Sequence, residues 1–198
     1  GITLGVLIFI FPPLYGEGHS SFGILMGMDV DMAGNTEKLF DNTLFHSLSE
    51  SDWFLIIYLV AIMFFKVITM ATTNAAGGVG GTFAPSLFVG AFAGALLAVV
   101  CREIFMWDVS VTSFTLVGMA GVMSGVMKAP LTSIFLIAEL SRGYDLFIPL
   151  MVVSGISFAV NYSFNRDSIY TKQLRMRGEL LTHDKDSSAF VFLRLDEL

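Results

Sequence analysis

The sequence carries little charge for its length. Asp, Glu, Lys and Arg make up 14% of its 198 residues, whereas an average soluble domain has about 25%. Hydrophobic residues account for 55% of the chain, and the mean hydropathy is +0.74. This composition argues against an ordinary soluble domain and is typical of an integral membrane protein.

Residues that support disulfides, metal sites or nucleic-acid binding are also scarce. Cys101 is the single cysteine, so no disulfide forms within the chain. The three histidines, His19, His46 and His183, lack metal-ligand spacing. The net charge of −6 and the lack of a basic stripe argue against nucleic acid. We therefore expect no metal and no nucleic-acid partner.

Catalytic groupings are missing as well. No Ser/His/Asp set and no carboxylate pair stands out. The glycine-rich stretch 77–82 lacks the Gly-Lys-Ser/Thr ending of a phosphate-binding loop. We expect neither an enzymatic activity nor a cofactor.

A glycine-dense break, GGVGGTFAP at residues 77–85, separates two long apolar runs and opens directly into a helix. Glycine adopts φ > 0 readily and lets a ligand approach the backbone, and Pro85 suits a first helical turn. The amides of Thr82 and Phe83 have no acceptor within that helix and lie at the positive end of its dipole. In lipid, irregular backbone is tolerated only inside protein or along a wet cavity. The break therefore indicates an anion site.

The apolar segments predict helices on both sides of this break. Residues 1–11 form an apolar run that ends at Pro12-Pro13. This run is too short for a complete membrane span of about 20 residues. Residues 15–52 form a polar connection with apolar patches. The predicted helices cover residues 53–72, 83–100, 113–127, 130–140, 144–164 and 168–179, and a strand begins at residues 190–193. Segments 113–127 and 130–140 are short and interrupted, as in transporters with broken helices.

Small residues within these helices indicate close packing. Gly90, Gly94 and Ala98 follow one another at intervals of four, and Gly121 and Gly125 repeat the interval. Small residues at this spacing form a face that lets a neighbouring helix approach closely.

Two charged residues interrupt apolar segments. Lys66 lies inside segment 53–72, and we interpret it as snorkelling or pairing inside the bundle rather than marking an ion path. Glu139 lies near Arg142, and we interpret it as an interfacial carboxylate rather than a proton relay.

The basic residues predict how the chain is oriented in the membrane. Connection 15–52 holds seven acidic residues against Lys38, whereas six of the eleven Lys and Arg follow residue 165. By the positive-inside rule the C-terminus is cytoplasmic and the connection lies on the opposite side. The chain begins inside an apolar run without a basic n-region, so we expect a piece of a longer protein and no signal peptide.

Several motifs in order resemble the CLC family of chloride channels and transporters. GGTFAP at 80–85, followed by the Gly-rich helix, resembles the second anion-binding segment of that family. VGMAG at 117–121 and KAPLT at 128–132 resemble its next two helices, and residues 138–144 resemble their exit. SIY at 168–170 resembles its late tyrosine. The resemblance covers nearly the whole chain.

The resemblance implies an all-α, polytopic membrane fold with broken and re-entrant helices, of which this chain is the second inverted repeat. Residues 1–166 would belong to the membrane domain, and residues 167–198 would form the last helix and a connector towards a cytosolic domain. The protein would be a homodimer with contacts at 130–140 and 147–158, in the plasma or inner membrane. The gating and proton glutamates would lie upstream.

The same resemblance implies a chloride site at mid-membrane. The backbone amides of Thr82 and Phe83 and the hydroxyl of Tyr170 would donate to the anion. Four further residues would form the loop: Gly80, Gly81, Ala84 and Pro85. The implied function is transport of chloride or a similar small anion, as a channel or a proton-coupled exchanger, with this chain supplying the second half of the pathway.

Two other functions stay open from the residues alone. A sodium-coupled carrier would place carboxylate, Asn or Ser/Thr ligands at its helix breaks, and Thr72-Thr73-Asn74 is a weak sign of this. A membrane scaffold that transports nothing would have no need for the break. Chloride binding against sodium binding by the intact protein separates these functions.

Overall fold

A computed structural model describes residues 1–16, 18–26, 43, 52–78, 80–141, 143–165, 167–168 and 171–172. For His19, Ser20, Phe22 and Asp52 it describes the backbone alone. Across these residues the regular secondary structure is helical, and three helices are long and apolar enough to cross a membrane. The prediction of an all-α membrane fold is therefore confirmed for the described part of the chain.

Within the described ranges, seven α-helices and one short 3-10 helix follow one another. They are α1 (Ile2–Ile10), the 3-10 helix (Pro12–Leu14), α2 (His19–Leu25), α3 (Asp52–Ala75), α4 (Phe83–Phe105), α5 (Val111–Met127), α6 (Pro130–Leu140) and α7 (Phe147–Phe164). The three helices of spanning length are α3, α4 and α7.

The predicted helix ends are wrong by a few residues in four helices, of which α5 begins at Val111 instead of residue 113. Helix α3 continues to Ala75 instead of residue 72, and α4 continues to Phe105 instead of residue 100. Helix α7 begins at Phe147 instead of residue 144. Arg102 thus lies in the last turn of α4, where a cation faces the negative end of the helix dipole.

The polar connection predicted from residue 15 contains a helix that the sequence analysis did not predict, α2 at residues 19–25. Leu25 explains this helix, because its side chain is almost completely buried in the common core. Burial of an apolar side chain stabilises a short helix that its own sequence would hardly support.

Helices α4 and α5 pack backbone against backbone. A Cβ atom built on Gly90 would lie 2.7 Å from the Cα of Met119, and one built on Gly94 would overlap the Phe114 carbonyl. A Cβ atom on Gly118 would in turn overlap the Gly90 carbonyl. The predicted close approach of a neighbouring helix to α4 is confirmed. Gly118 is the small residue of α5 at this contact.

Helix α5 packs its other side on α7. Side chains of α7 fill the space over two glycines, Val153 over Gly121 and Ser157 over Gly125. The Ser157 hydroxyl donates to the Gly121 carbonyl at 2.7 Å. The interpretation of Gly121 and Gly125 as packing residues is confirmed.

The boundary between α5 and α6 is as sharp as predicted. Lys128 ends α5 in the left-handed conformation, with φ 56° and ψ 36°, and Pro130 is the first residue of α6. Proline fits that position because its missing N–H would have no helical partner there. The Lys128 ammonium donates to the Asn165 carbonyl just beyond α7.

Candidate functional site

The glycine break begins with a regular helix end. The N–H of Gly77 donates to the Asn74 carbonyl at 3.1 Å, and the N–H of Gly78 donates to the Thr73 carbonyl at 3.0 Å. Gly77 has φ +83°. These are the two bonds and the left-handed residue of a Schellman motif, which terminates a helix. Among the described residues of the break, the left-handed conformation lies at Gly77.

The next two described glycines, Gly80 and Gly81, have different surroundings. A Cβ atom on Gly80 would overlap the side-chain oxygen of Asn74, whereas one on Gly81 would meet no atom within 4 Å. Gly81 does not have a positive φ. Gly81 therefore does not need the left-handed conformation, and Gly80 is the glycine at which the chain passes close to α3.

Helix α4 starts at the predicted residue. Its first residue is Phe83, preceded by Thr82 with φ −88° and ψ −15°, and its first backbone bond runs from the Ser86 amide to the Thr82 carbonyl at 3.1 Å. The first N–H groups of an α-helix have no acceptor within that helix, and Pro85 has no N–H at all. The positive end of the α4 dipole therefore faces the break.

The Thr82 side chain points to another helix. It makes no capping bond to the first turn of α4, and its hydroxyl lies 3.9 Å from the sulfur of Met127 at the end of α5. The Thr82 hydroxyl thus does not cap α4, and one of its contacts is with the end of α5.

A cavity of about 510 Å³ adjoins the break between α1, α3 and the start of α4. Five of the six residues that the sequence assigned to the loop and the amides line it: Gly80, Gly81, Phe83, Ala84 and Pro85. The remaining lining residues are Leu4, Ile8, Leu14, Gly16, Lys66, Thr69, Met70, Thr73 and Leu87. The structure therefore places most of the predicted segment around one cavity. Thr82 does not line that cavity.

Lys66 is buried in this part of the bundle, with 4% of its surface exposed. Its ammonium donates to the Gly16 carbonyl at 2.8 Å and to the Leu14 carbonyl at 3.4 Å, and it lies 4.5 Å from the centre of the Phe88 ring. The interpretation that Lys66 snorkels or pairs inside the bundle holds in its second form, since the ammonium contacts carbonyls and a ring within the bundle.

Sequence reasoning missed that Lys66 borders the same cavity as the break. The signal was available in the spacing of α3. Thr69 and Thr73 follow Lys66 by three and seven residues, and all three line the cavity. Such spacing places polar side chains on one helix face.

Tyr170 and the predicted strand at 190–193 lie outside the described residues, as does most of the predicted helix 168–179. The two described residues at that helix start are paired. The Thr171 amide donates to the Ser168 hydroxyl at 3.2 Å, and the Ser168 amide donates to the Thr171 hydroxyl at 2.9 Å. This reciprocal pair is a helix N-terminal signature of the capping-box type, so a helix start at Ser168 is supported.

Glu139 is exposed in the last turn of α6. This location agrees with an interfacial carboxylate, whereas Arg142, its predicted neighbour, lies outside the described residues.

The chain is similar in sequence to chloride channel proteins. The family described as "Voltage gated chloride channel" matches residues 1–162. Chloride channel protein CLC-e of Arabidopsis thaliana is 29% identical over 167 residues, which are 79% of this chain and 21% of that protein. Chloride channel protein CLC-f of the same organism is 34% identical over 102 residues, which are 48% of this chain and 13% of that protein. The chain thus spans about a fifth or less of these relatives and belongs to the voltage-gated chloride channel family.

Proposed function

We propose that the protein of which this chain is part transports chloride or a similar small anion across a membrane, and that this chain supplies the second half of the pathway. Family membership supports transport of chloride at the level of the family. The single observation that carries the proposal to this chain is the start of α4, where the dipole and the first amides face the glycine break.

The proposed ligands are the backbone amides of Thr82 and Phe83 and the hydroxyl of Tyr170. Amides and a phenol attract an anion that has lost water, yet they carry no full charge that would hold it too tightly for transport. Tyr170 enters from the resemblance of residues 168–170 to the family motif, and the capped helix start at Ser168 is compatible with that role.

The flux test uses the intact protein reconstituted in liposomes. The proposal predicts that an imposed chloride gradient drives anion movement, and that replacing external potassium by sodium leaves the rate unchanged. Passage of cations without passage of anions would contradict it and would favour the sodium-coupled alternative.

Both a channel and a proton-coupled exchanger use such an anion site, and we favour the exchanger. The two mechanisms differ in stoichiometry, since an exchanger moves protons against chloride whereas a channel moves chloride alone. We expect chloride uptake driven by a pH gradient. Chloride movement with no accompanying proton movement would assign the channel mechanism.

We also propose a homodimer in a plasma or inner membrane, with a cytoplasmic C-terminus and contacts from 130–140 and 147–158. The outward faces of α6 and α7 support this, because Leu131, Phe135, Ile148 and Ile156 are all exposed apolar side chains. Cross-linking in mild detergent should give a dimer, and a monomer as the sole species would refute the contact.

A further inference from the structure

The end of α5 contacts two parts of the chain that lead to the proposed anion ligands. Its last helical residue is Met127, whose sulfur lies 3.9 Å from the hydroxyl of Thr82, the residue before α4. The next residue is Lys128, whose ammonium donates to the carbonyl of Asn165, the residue after α7. Two consecutive residues at the end of α5 therefore reach the start of α4 and the exit of α7.

Lys128 occupies a position at which the backbone alone would favour glycine or asparagine. It ends α5 in the left-handed conformation, with φ 56° and ψ 36°, and a larger side chain is disfavoured in that conformation. The ammonium adds two contacts that glycine would lack. It donates to the Asn165 carbonyl and lies 5.7 Å from the centre of the Tyr162 ring. The side chain of Lys128 thus has a partner that the local backbone does not require.

The Lys128 ammonium stabilises the end of α7. The Asn165 amide makes the last bond of that helix, to the Asn161 carbonyl at 2.8 Å, and Asn165 itself is extended, with φ −133° and ψ 108°. Carbonyls at the end of a helix lack a partner within it and lie at the negative end of its dipole. An ammonium at the Asn165 carbonyl supplies both a donor and a favourable charge. Lys128 therefore holds the chain at the point where it leaves α7.

The next helix starts three residues after that contact. The Ser168 amide donates to the Thr171 hydroxyl at 2.9 Å, and the Thr171 amide donates to the Ser168 hydroxyl at 3.2 Å. The Lys172 amide donates to the Ser168 carbonyl at 3.0 Å, which closes the first turn. Tyr170 lies between Ser168 and Thr171 in the sequence. Three residues span at most about 10 Å, so a shift of the chain at Asn165 is passed on to this turn.

We propose that Lys128 is a positioning residue of the anion site. By holding the exit of α7, it sets the place of the helix that begins at Ser168, and with it the place of the Tyr170 hydroxyl. This inference rests on the proposed function, in which that hydroxyl is an anion ligand. Lys128 does not line the cavity at the break, and its ammonium donates to a backbone carbonyl. It therefore acts on the anion through the chain after α7 and not by contact.

A double-mutant cycle in the intact protein tests this role. The variants are Lys128→Met, Tyr170→Phe and the two combined, and the measurement is the chloride dissociation constant from calorimetric titration. Lys128→Met removes the ammonium and should weaken chloride binding about three- to tenfold. In Tyr170→Phe protein, which already lacks the hydroxyl, the same change should weaken binding by less than about twofold. A residue that stabilises the fold without acting on Tyr170 would give the same loss in both backgrounds.

Two further variants serve as rescue and control. Lys128→Arg keeps a charged donor that can contact both a carbonyl and a ring, so it should retain chloride affinity within about twofold. Arg102→Met also removes one positive charge, but Arg102 is exposed in the last turn of α4, at the end away from the break. Arg102→Met should therefore bind chloride like the wild type.

Lys128→Asn covers the case in which Lys128→Met does not fold. Asparagine tolerates the left-handed conformation better than other side chains do, and its side chain is shorter and uncharged. Lys128→Asn should show the loss of affinity expected of Lys128→Met and the same dependence on the Tyr170 hydroxyl.

The outcomes separate this inference from the proposed function. Wild-type protein that binds no chloride ends both. Unchanged affinity in Tyr170→Phe ends the positioning role and leaves the amides of α4 as the anion site. If Tyr170→Phe weakens binding, two results overturn the positioning role alone: unchanged affinity in the Lys128 variants, or an equal loss with and without the Tyr170 hydroxyl. A loss of the same size in Arg102→Met would assign the effect to net charge and would also overturn it.

Discussion

The hydroxyl oxygen of Thr82 lies 3.9 Å from the sulfur of Met127, so the residue before α4 touches the end of α5. The side chain of Thr82 makes no capping hydrogen bond to the first turn of its own helix, so its hydroxyl and its backbone amide can be replaced independently. This arrangement separates two chemical roles of one residue and allows each to be tested alone.

Removal of the Thr82 amide should weaken anion binding, whereas removal of its hydroxyl should not. Thr82→Pro deletes the N–H, and the native φ of −88° lies near the range of proline. A hydrogen bond to a charged partner contributes about 1.5–3 kcal/mol, so the chloride dissociation constant should rise roughly tenfold to hundredfold. Thr82→Ala is the control, and equal weakening in both variants would assign the effect to the side chain.

Replacement of Tyr170 should weaken chloride binding without unfolding the protein. Tyr170→Phe removes the hydroxyl and keeps the ring, and Tyr170→Ala removes both, so each loses one hydrogen bond to the anion, again about 1.5–3 kcal/mol. Tyr162→Phe is the control, because Tyr162 is half-exposed on α7 and its ring stacks on Phe158. Unchanged dissociation constants in both Tyr170 variants, measured by chloride titration, would remove Tyr170 from the site.

Gly77 should be far more sensitive to substitution than Gly81 in its effect on stability. Gly77→Ala forces a side chain into φ +83°, at a cost of about 1–2 kcal/mol, and weakens the Schellman motif that ends α3. Gly81→Ala adds a methyl group to open space and should unfold at the wild-type temperature. Thermal unfolding in detergent measures both, and a reversed order would contradict the assignment of the left-handed residue.

Gly81→Val tests ion approach rather than folding. Gly81 has no positive φ, and no atom of the described residues lies within 4 Å of an added Cβ, so the backbone gives no reason for damage at this position. If the anion approaches the backbone at Gly81, the valine variant should remain folded but bind chloride less tightly than wild type. Full chloride affinity in this variant would show that Gly81 serves as a connector.

Gly94→Ala should destabilise the protein strongly, because the new methyl group would overlap the backbone of Phe114 and force α4 and α5 apart. Overpacking of a well-packed contact costs about 1–3 kcal/mol, and backbone has less freedom to move than side chains. Gly5→Ala in α1 is the control, since no atom lies within 4 Å of its added Cβ. Equal melting temperatures of the two variants would contradict the close helix contact.

Features that depend on local chemistry could be predicted from the sequence. The start of α4 follows from the glycine break and Pro85, and the start of α6 follows from Pro130, because proline favours the first turn. The small-residue face of α4 follows from the interval of Gly90 and Gly94.

Features that depend on which helices meet could not be predicted. Gly118 becomes the partner of Gly90 only once α5 crosses α4, and Leu25 stabilises α2 only through the common core. The run of glycines at 77–81 also hides which residue takes the left-handed conformation, since each glycine permits it. The spacing within α3 places Lys66, Thr69 and Thr73 on one helix face, but the cavity that this face lines forms only once α1 and α3 fold next to the break.

The most direct measurement is anomalous diffraction from crystals of the intact protein grown in bromide, a chloride substitute that can be located by its scattering. The amide site predicts a bromide peak within hydrogen-bonding distance of the backbone nitrogens of Thr82 and Phe83, and a weaker peak there in Thr82→Pro. Bromide peaks that lie elsewhere, with none at the start of α4, would contradict the account.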